Sequence, residues 1–282
     1  MILIADCGST KIDWCLIEKK KVEKQVFTLG MNAVMLTEEE MRTRIADELM
    51  PELGSLSENV EEVYFYGAGC ISPEVCGNVA RAIRANLPSA GTVEVYSDLL
   101  GAARALCGRQ PGIACILGTG SNSCLYDGKG IASNVSPLGY VLGDEGSGAV
   151  LGKLFLGDVL KRQLPPALCT AFLEEYQLDL LTIIRRVYRE PQGNRFLASV
   201  TPFLSKNINE PAIHALVLNA FKAFFVRNIH NYDGYASHKV NFIGSIAFHF
   251  REVLQEAAVA TGCTLGTIIK SPMEGLVNFH AN

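Results

Sequence analysis

The chain has 282 residues, 49% of them apolar and 19% charged, with a formal net charge of −4. That composition supplies a large buried core, enough for two domains, and argues against disorder. The small acidic excess and the lack of a basic block beyond Lys19–Lys21 exclude nucleic-acid binding through a charged face.

In chain order, Ile2–Ala5 and Lys11–Ile17 read as strands joined by a turn at Cys7–Thr10, with a third strand near Val26–Leu29. "TEEEMRTRIADELMPEL" carries apolar residues at helical spacing behind the cap residue Thr37. "EEVYFYGAGC" is a strand running into a glycine turn, and "SPEVCGNVARAIRANL" is a helix with Pro73 in its first turn. "TVEVYSD" is a strand, and "LLGAARALCG" is a helix that ends at a glycine. The pattern then restarts. "GIACILGTGSNSCLYDG" is again strand, Gly-rich hydroxyl turn and strand, so the chain reads as two related α/β units, each opening with a hairpin. Helices fill Ala149–Tyr232. The strand "KVNFIG", the helix "FHFREVLQEAAVATG" and a short closing segment complete the chain.

Nine cysteines are scattered without a CxxC pair, and five histidines do not cluster, so the expectation is buried, reduced thiols in a cytoplasmic protein and no zinc site. The opening "MILIAD" is too short for a signal peptide, and no uninterrupted apolar run nears about 18 residues, so no membrane helix is expected.

Several turns have the chemistry to bind a ligand. Gly8, Ser9, Thr10 and Lys11 combine close backbone approach, hydroxyl donors and a positive charge, which suits a phosphate. Asp6, at the end of the first strand, could hold a hydrated Mg²⁺. Gly118, Thr119, Gly120 and Ser121 repeat that setting in the second half. Neither turn is a Walker A loop or a dinucleotide fingerprint, so two hairpins clamping one phosphate chain is the expected class. "GDEGSG" sets Asp144 and Glu145 among glycines ahead of a helix, where acidic residues also suit the helix dipole. Asp98 stands at a strand-to-helix junction, where a helix cap is the competing role. "GSIA", Gly244–Ala247, would let a base or ribose approach.

Together "DCGSTK", "GTGSNS" and "GSIAFHF" resemble the two phosphate loops and the adenosine motif of the sugar-kinase, Hsp70 and actin superfamily. Within it, "GTGSN" followed by "LGDEGSG" is similar to the BadF/BadG/BcrA/BcrD-type ATPase family, and to N-acetylglucosamine kinases in particular. The resemblance covers nearly the whole chain. It implies an α/β fold of two ribonuclease-H-like (actin-like ATPase) domains around a central cleft. The first would span residues 1–105 and the second 106–269, with the closing segment 270–282 packing on the first. It implies ATP held at Gly8, Ser9, Thr10, Lys11, Gly118, Thr119, Gly120, Gly244 and Ser245, with Mg²⁺ at Asp6. Asp98 would be the base on the sugar hydroxyl, and Asn32, Asn122 and Asp144 would bind the sugar. Gly69 would join them in the sugar site, in the matching third-strand turn, where Ala68 replaces a serine common in such kinases.

The implied activity is phosphorylation of an amino sugar, with N-acetylglucosamine at its 6-hydroxyl ahead of glucosamine and N-acetylmuramic acid. Two alternatives remain: an ATPase activator of CoA-thioester dehydratases or reductases, which would need an iron–sulfur cluster shared by a dimer, and a non-catalytic sugar sensor. A small-molecule sugar is the expected partner, no nucleic acid or membrane is, and a homodimer is among the assemblies the sequence allows.

Overall fold

The structure, a computed structural model, describes residues 1–8 and 11–281. Two compact units emerge. One comprises residues 1–111, 127–131 and 271–282, and the other residues 112–126 and 132–270.

The first unit is built on a five-stranded sheet. Strands β1 (Ile2–Cys7), β2 (Lys11–Glu18) and β3 (Lys21–Leu29) form an antiparallel meander, and β4 (Glu62–Gly67) and β5 (Thr92–Ser97) add in parallel beyond β1, giving the order β3-β2-β1-β4-β5. Strand β3 starts well before the expected Val26. The turn residues Lys19 and Lys20 both take positive φ, and β3 is a mostly exposed edge strand whose polar residues give no apolar signal.

Period-two alternation assigns the two faces of this sheet. Leu3, Ala5 and Cys7 of β1 and Ile12, Trp14 and Leu16 of β2 point into the larger core. Helices α1 (Glu38–Arg44) and α3 (Pro73–Asn86) contribute Met41, Val79 and Ile83 to it. Thr37 forms the expected cap as a full capping box with Glu40. A π-helical stretch, Ile45–Leu49, then leads into α2 (Met50–Leu53). Pro51 has no N–H and its ring crowds the preceding turn, which accounts for the widened turn at that point.

The opposite face carries Ile4, Cys15, Ile17 and Tyr66 against Met273 and Leu276. It lies under α4 (Asp98–Cys107) and the final helix, described below.

The second unit repeats the topology. Strands β6 (Gly112–Leu117) and β7 (Ser121–Tyr126) form the hairpin, and β8 (Ile131–Ser133) adds outside β7. Strands β9 (Lys239–Ile243) and β10 (Thr264–Ile269) run parallel on the other side of β6, in the order β10-β9-β6-β7-β8. This is the ribonuclease-H-like arrangement in both units. The short α5 (Gly139–Leu142) precedes α6 (Gly148–Leu160), followed by α7 (Pro166–Glu175), α8 (Leu180–Tyr188), α9 (Gly193–Ala198), α10 (Thr201–Lys206) and α11 (Pro211–Arg227). Helices α12 (Ser245–His249) and α13 (Arg251–Ala260) lie between β9 and β10, and α14 (Met273–His280) ends the chain.

Among the described residues, one helical stretch, Pro211–Asn231, is long and apolar enough to cross a membrane by length and composition. Its Ile213, Val217, Phe221, Phe224 and Phe225 are buried in the core of the second unit. All nine cysteines are free thiols, six of them buried.

Helix α14 is locked onto α4 within the first unit. A Cβ at Gly275 would lie 2.4 Å from the Ala105 carbonyl oxygen, so the two backbones meet with no room between them. Beside this contact, Arg104 Nη1 donates to Tyr66 Oη (2.8 Å), which leaves the Tyr66 proton for the Nε2 of a neutral His280 (2.7 Å). Burial and the nearby Arg104 and Arg109 push the His280 pKa down to about 4, which keeps that acceptor available. Gly275→Val should therefore destabilise the protein by about 1–3 kcal/mol through overpacking. Urea unfolding checks this, and an unchanged midpoint would mean that α14 is not held at this contact.

Candidate active site

The candidate residues fall into two groups, one in each unit. In the first unit, β1 ends at Asp6–Cys7, and the Gly8 N–H donates to the Lys11 carbonyl (3.0 Å), which closes the hairpin turn. Ser9 and Thr10 lie outside the described residues. Lys11 opens β2, and its Nζ stands over the Phe27 ring at 4.8 Å.

Asp6 is a partly buried carboxylate whose pKa is pushed up to about 7. Burial is the main cause, the negative charges of Asp98 and Asp13 add to it, and Lys11 only partly offsets them. That unbalanced negative charge is the observation that fits a cation. Among the described residues no three His, Cys, Asp or Glu side chains converge as a metal cage. Mg²⁺ does not need one, because it keeps several waters and takes one or two carboxylates plus phosphate oxygens.

Asp98 does not cap its helix. The cap is Ser97, whose side chain accepts from the Leu100 N–H (3.2 Å). Asp98 is the first helical residue, and its Oδ1 accepts from the Leu99 N–H (2.8 Å). Burial raises its pKa, and the backbone N–H groups of Leu99 and of Asp98 itself partly oppose that rise. A strand behind and a helix ahead hold this carboxylate, one oxygen is tied to backbone, and the helix start is served by its neighbour.

Asn32 and Gly69 meet directly. The Asn32 Oδ1 accepts from the Val34 N–H (3.1 Å), and a Cβ at residue 69 would fall 2.6 Å from that oxygen. Gly69 also has φ +85°. The position therefore requires glycine on both conformational and steric grounds. The amide Nδ2 of Asn32 has no partner among the described residues, so it is free to donate to a ligand.

In the second unit, the turn between β6 and β7 is closed by the Gly118 N–H to the Gly120 carbonyl (2.9 Å). The start of α6 docks on this turn. The Gly148 and Ala149 N–H groups donate to the carbonyls of Gly118 (2.8 Å) and Thr119 (3.0 Å). A Cβ on Gly118 would meet nothing within 4 Å, so the turn has an open side.

Asp144 reaches the same turn. Its Oδ2 would lie 3.1 Å from a Cβ on Gly120, and its carboxylate accepts from the Ser121 N–H. Burial, and then the Glu145 charge, push its pKa up to about 6 against the pull of Ser121 and Lys153. Glu145 turns away to bond Arg227 Nε and Asn228 Nδ2, which ties the GDEGSG loop to α11. Asn122 accepts on Oδ1 from the Ser123 N–H (2.9 Å) and from Asn134 Nδ2 (3.0 Å).

Gly244 is needed for a reason other than the approach of a ligand. It has φ +119°, and a Cβ there would lie 2.3 Å from the Leu117 carbonyl oxygen, so it lets the end of β9 pass the end of β6. Beside Ser245 opens a pocket of about 460 Å³, lined by Thr201, Pro202, Ser205, Lys206, Ile246, His249 and Phe250. Sequence reasoning found Ser245 and missed the four residues on α10. They lie far away in the chain, in a segment with no motif, and only the packing of α10 beside α12 brings them in.

Over its whole length (100% of this chain, 99% of the other), the chain is 50% identical to a Porphyromonas gingivalis protein designated "putative N-acetylglucosamine kinase", with a TM-score of 0.98. A Chromobacterium violaceum protein with the same designation superposes at TM-score 0.74 over 99% of this chain and 98% of its own, at 17% identity. The Acidaminococcus fermentans (R)-2-hydroxyglutaryl-CoA dehydratase component A matches at TM-score 0.50 and 12% identity, over 99% and 95% of the two chains. The last two likenesses speak to the fold alone. No protein-family model and no curated protein matches the chain.

The raised carboxylates make a test without any ligand. A carboxyl with a raised folded-state pKa adds stability below its unfolded value near 4, and that stability is lost as pH rises through the folded value. For Asp6 the window is therefore about pH 4 to 7. Asp6→Asn should unfold at the parent's temperature near pH 4 and at a progressively higher one up to about pH 7. Melting curves across that range check this, and a constant offset would show that Asp6 carries no such shift.

Proposed function

This chain belongs to the BadF/BadG/BcrA/BcrD-type ATPase family, among its N-acetylglucosamine-kinase-like members, and on that premise we propose that it transfers the γ-phosphoryl group of ATP to the 6-hydroxyl of N-acetylglucosamine. The chain is a sugar phosphotransferase. The substrate and the residue roles are the proposal.

The observation that carries the residue assignment is Asp98. It is a carboxylate freed from capping by Ser97, fixed through one oxygen, and close enough in charge to Asp6 to raise that group's pKa. A base needs a free oxygen within hydrogen-bond reach of the attacking hydroxyl and a pKa lifted toward the working pH. Burial lifts that of Asp98. The second oxygen would accept the hydroxyl proton as the oxygen attacks phosphorus.

Asn32 Nδ2, Asn122 and the Asp144 carboxylate would bond sugar hydroxyls, since each buried hydroxyl needs a partner. The turns at Gly8–Lys11 and Gly118–Gly120 would line the phosphate chain. Ser245 and the pocket beside it would take the adenosine, and that pocket's volume lies within the usual ligand range of about 300–1,000 Å³. Mg²⁺ beside Asp6 would neutralise charge across the phosphates.

Two measurements test this. In an ADP-release assay over N-acetylglucosamine, N-acetylmannosamine, glucosamine, glucose and N-acetylmuramic acid, N-acetylglucosamine should give the highest kcat/KM. A higher value for any other sugar would replace the substrate. Asp98→Asn should lower kcat by roughly 10²–10⁴ with sugar and ATP binding kept. Near-parental kcat in the folded variant would remove Asp98 from the mechanism.

The open side of Gly118 gives a third. Gly118→Val should fold normally and lose ATP affinity, because a Cβ there meets no protein atom within 4 Å and the side chain would fill the open side of the turn. Equal nucleotide affinity in calorimetry would mean that this turn does not hold phosphate.

A further inference from the structure

Among the described residues, Asp13 is the charged residue with the smallest exposed fraction, 6%. The strand register sets it directly opposite Asp6. Opposed residues of an antiparallel pair project from the same face, with Cβ atoms about 4.5–5.5 Å apart. That face is the one covered by α4, whose first residue is Asp98.

A carboxylate has about four acceptor sites. The one hydrogen bond that Asp13 receives among the described residues comes from Gln25 Nε2 to Oδ1 (2.8 Å). Among the described residues no cationic side chain forms a salt bridge with it. The nearest candidate in the chain, Lys11, stands over Phe27. Leaving a carboxylate buried without a counter-charge is costly, and a well-packed apolar residue would be more stable there. A tether to the exposed Gln25 does not need a buried anion. A cation beside Asp6 does give one a role.

We propose that Asp13 is a positioning residue for the divalent cation that accompanies the nucleotide, a second carboxylate behind Asp6 that accepts from the cation's bound water. This rests on reading the first hairpin as the Mg²⁺·nucleotide turn. Magnesium suits the pair, because it retains several waters and binds through few carboxylates. Partners that orient a metal's ligands typically cost about 10–100-fold in metal affinity when removed.

Asp13→Asn keeps the shape and can still accept from Gln25, so it removes the charge alone. The experiment compares calorimetric ADP affinity in Mg²⁺ and in EDTA, with melting temperatures of the ligand-free proteins. The parent should bind ADP more tightly with Mg²⁺. In Asp13→Asn that enhancement should fall at least about tenfold, with affinity in EDTA unchanged. The ligand-free variant should melt higher than the parent, the opposite of what a structural role predicts. Asp13→Glu should recover part of the Mg²⁺ enhancement.

Full Mg²⁺ enhancement in Asp13→Asn overturns the proposal, whatever its melting temperature. If that variant does not fold, Gln25→Ala releases the carboxylate without altering it, and an undiminished Mg²⁺ enhancement there overturns the proposal equally. A parent that binds ADP alike in Mg²⁺ and EDTA would overturn the cation reading of the hairpin and this proposal with it, a result distinct from a parent that responds and a variant that responds as well.

Discussion

Negative charge gathered at the carboxyl end of β1 is the constraint around which the first unit is built. Asp6 sits on the face under α4, Asp13 faces it from β2, and Asp98 opens the covering helix. Asp98 and Asp13 add to the cost of ionising Asp6, and Lys11 offsets only part of it. The ligand-free protein carries this as a loss of stability near neutral pH. Strain of this kind is expected where a fold keeps a site ready for a cation and phosphates, and the surrounding apolar core must be large enough to tolerate it. Here that core includes Leu3, Ala5, Trp14 and Phe65 on the far side of the same sheet.

The second unit builds on the same sheet order with a different arrangement of charge around its hairpin turn. Its hairpin turn is not ringed by acids on the strands. The α6 N-terminus folds back on it instead, and the one carboxylate that reaches it, Asp144, arrives from a loop. That loop is anchored by Glu145 on α11, and Asp144 itself adopts φ 53°, an uncommon value for a residue other than glycine. The three glycines of GDEGSG thus serve a compact reversal of the chain, and Asp144 is free to face the turn because Glu145 carries the anchoring.

The likeness to the Porphyromonas gingivalis protein extends over the whole chain at 50% identity, and this places the chain in its family. The dehydratase component superposes at TM-score 0.50 and 12% identity, and a likeness of fold does not imply a shared reaction. The thiols are distributed between the cores. Cys7 and Cys70 lie in the first unit, and Cys115 and Cys263 in the second.

The sequence by itself determined the hairpin-opening repeat, the positions of the glycine turns, the helix cap at Thr37, and the residue types able to hold phosphate or act as a base. These signals are local, set by φ/ψ demands, capping and hydrophobic period. Strands β8 and β10 escaped because they are short or lie at a sheet edge, where little is buried and no alternation is imposed. Tertiary structure alone decided the rest. It placed Asn32 against Gly69, gave the cap at α4 to Ser97 and so released Asp98, made Gly244 a crossing point for backbone, and brought α10 beside α12 to line a pocket. It also set Asp13 opposite Asp6. Six residues of sequence lie between them, and only the register of the β1–β2 pair makes them neighbours, because which residues share a face follows from pairing and not from order along the chain.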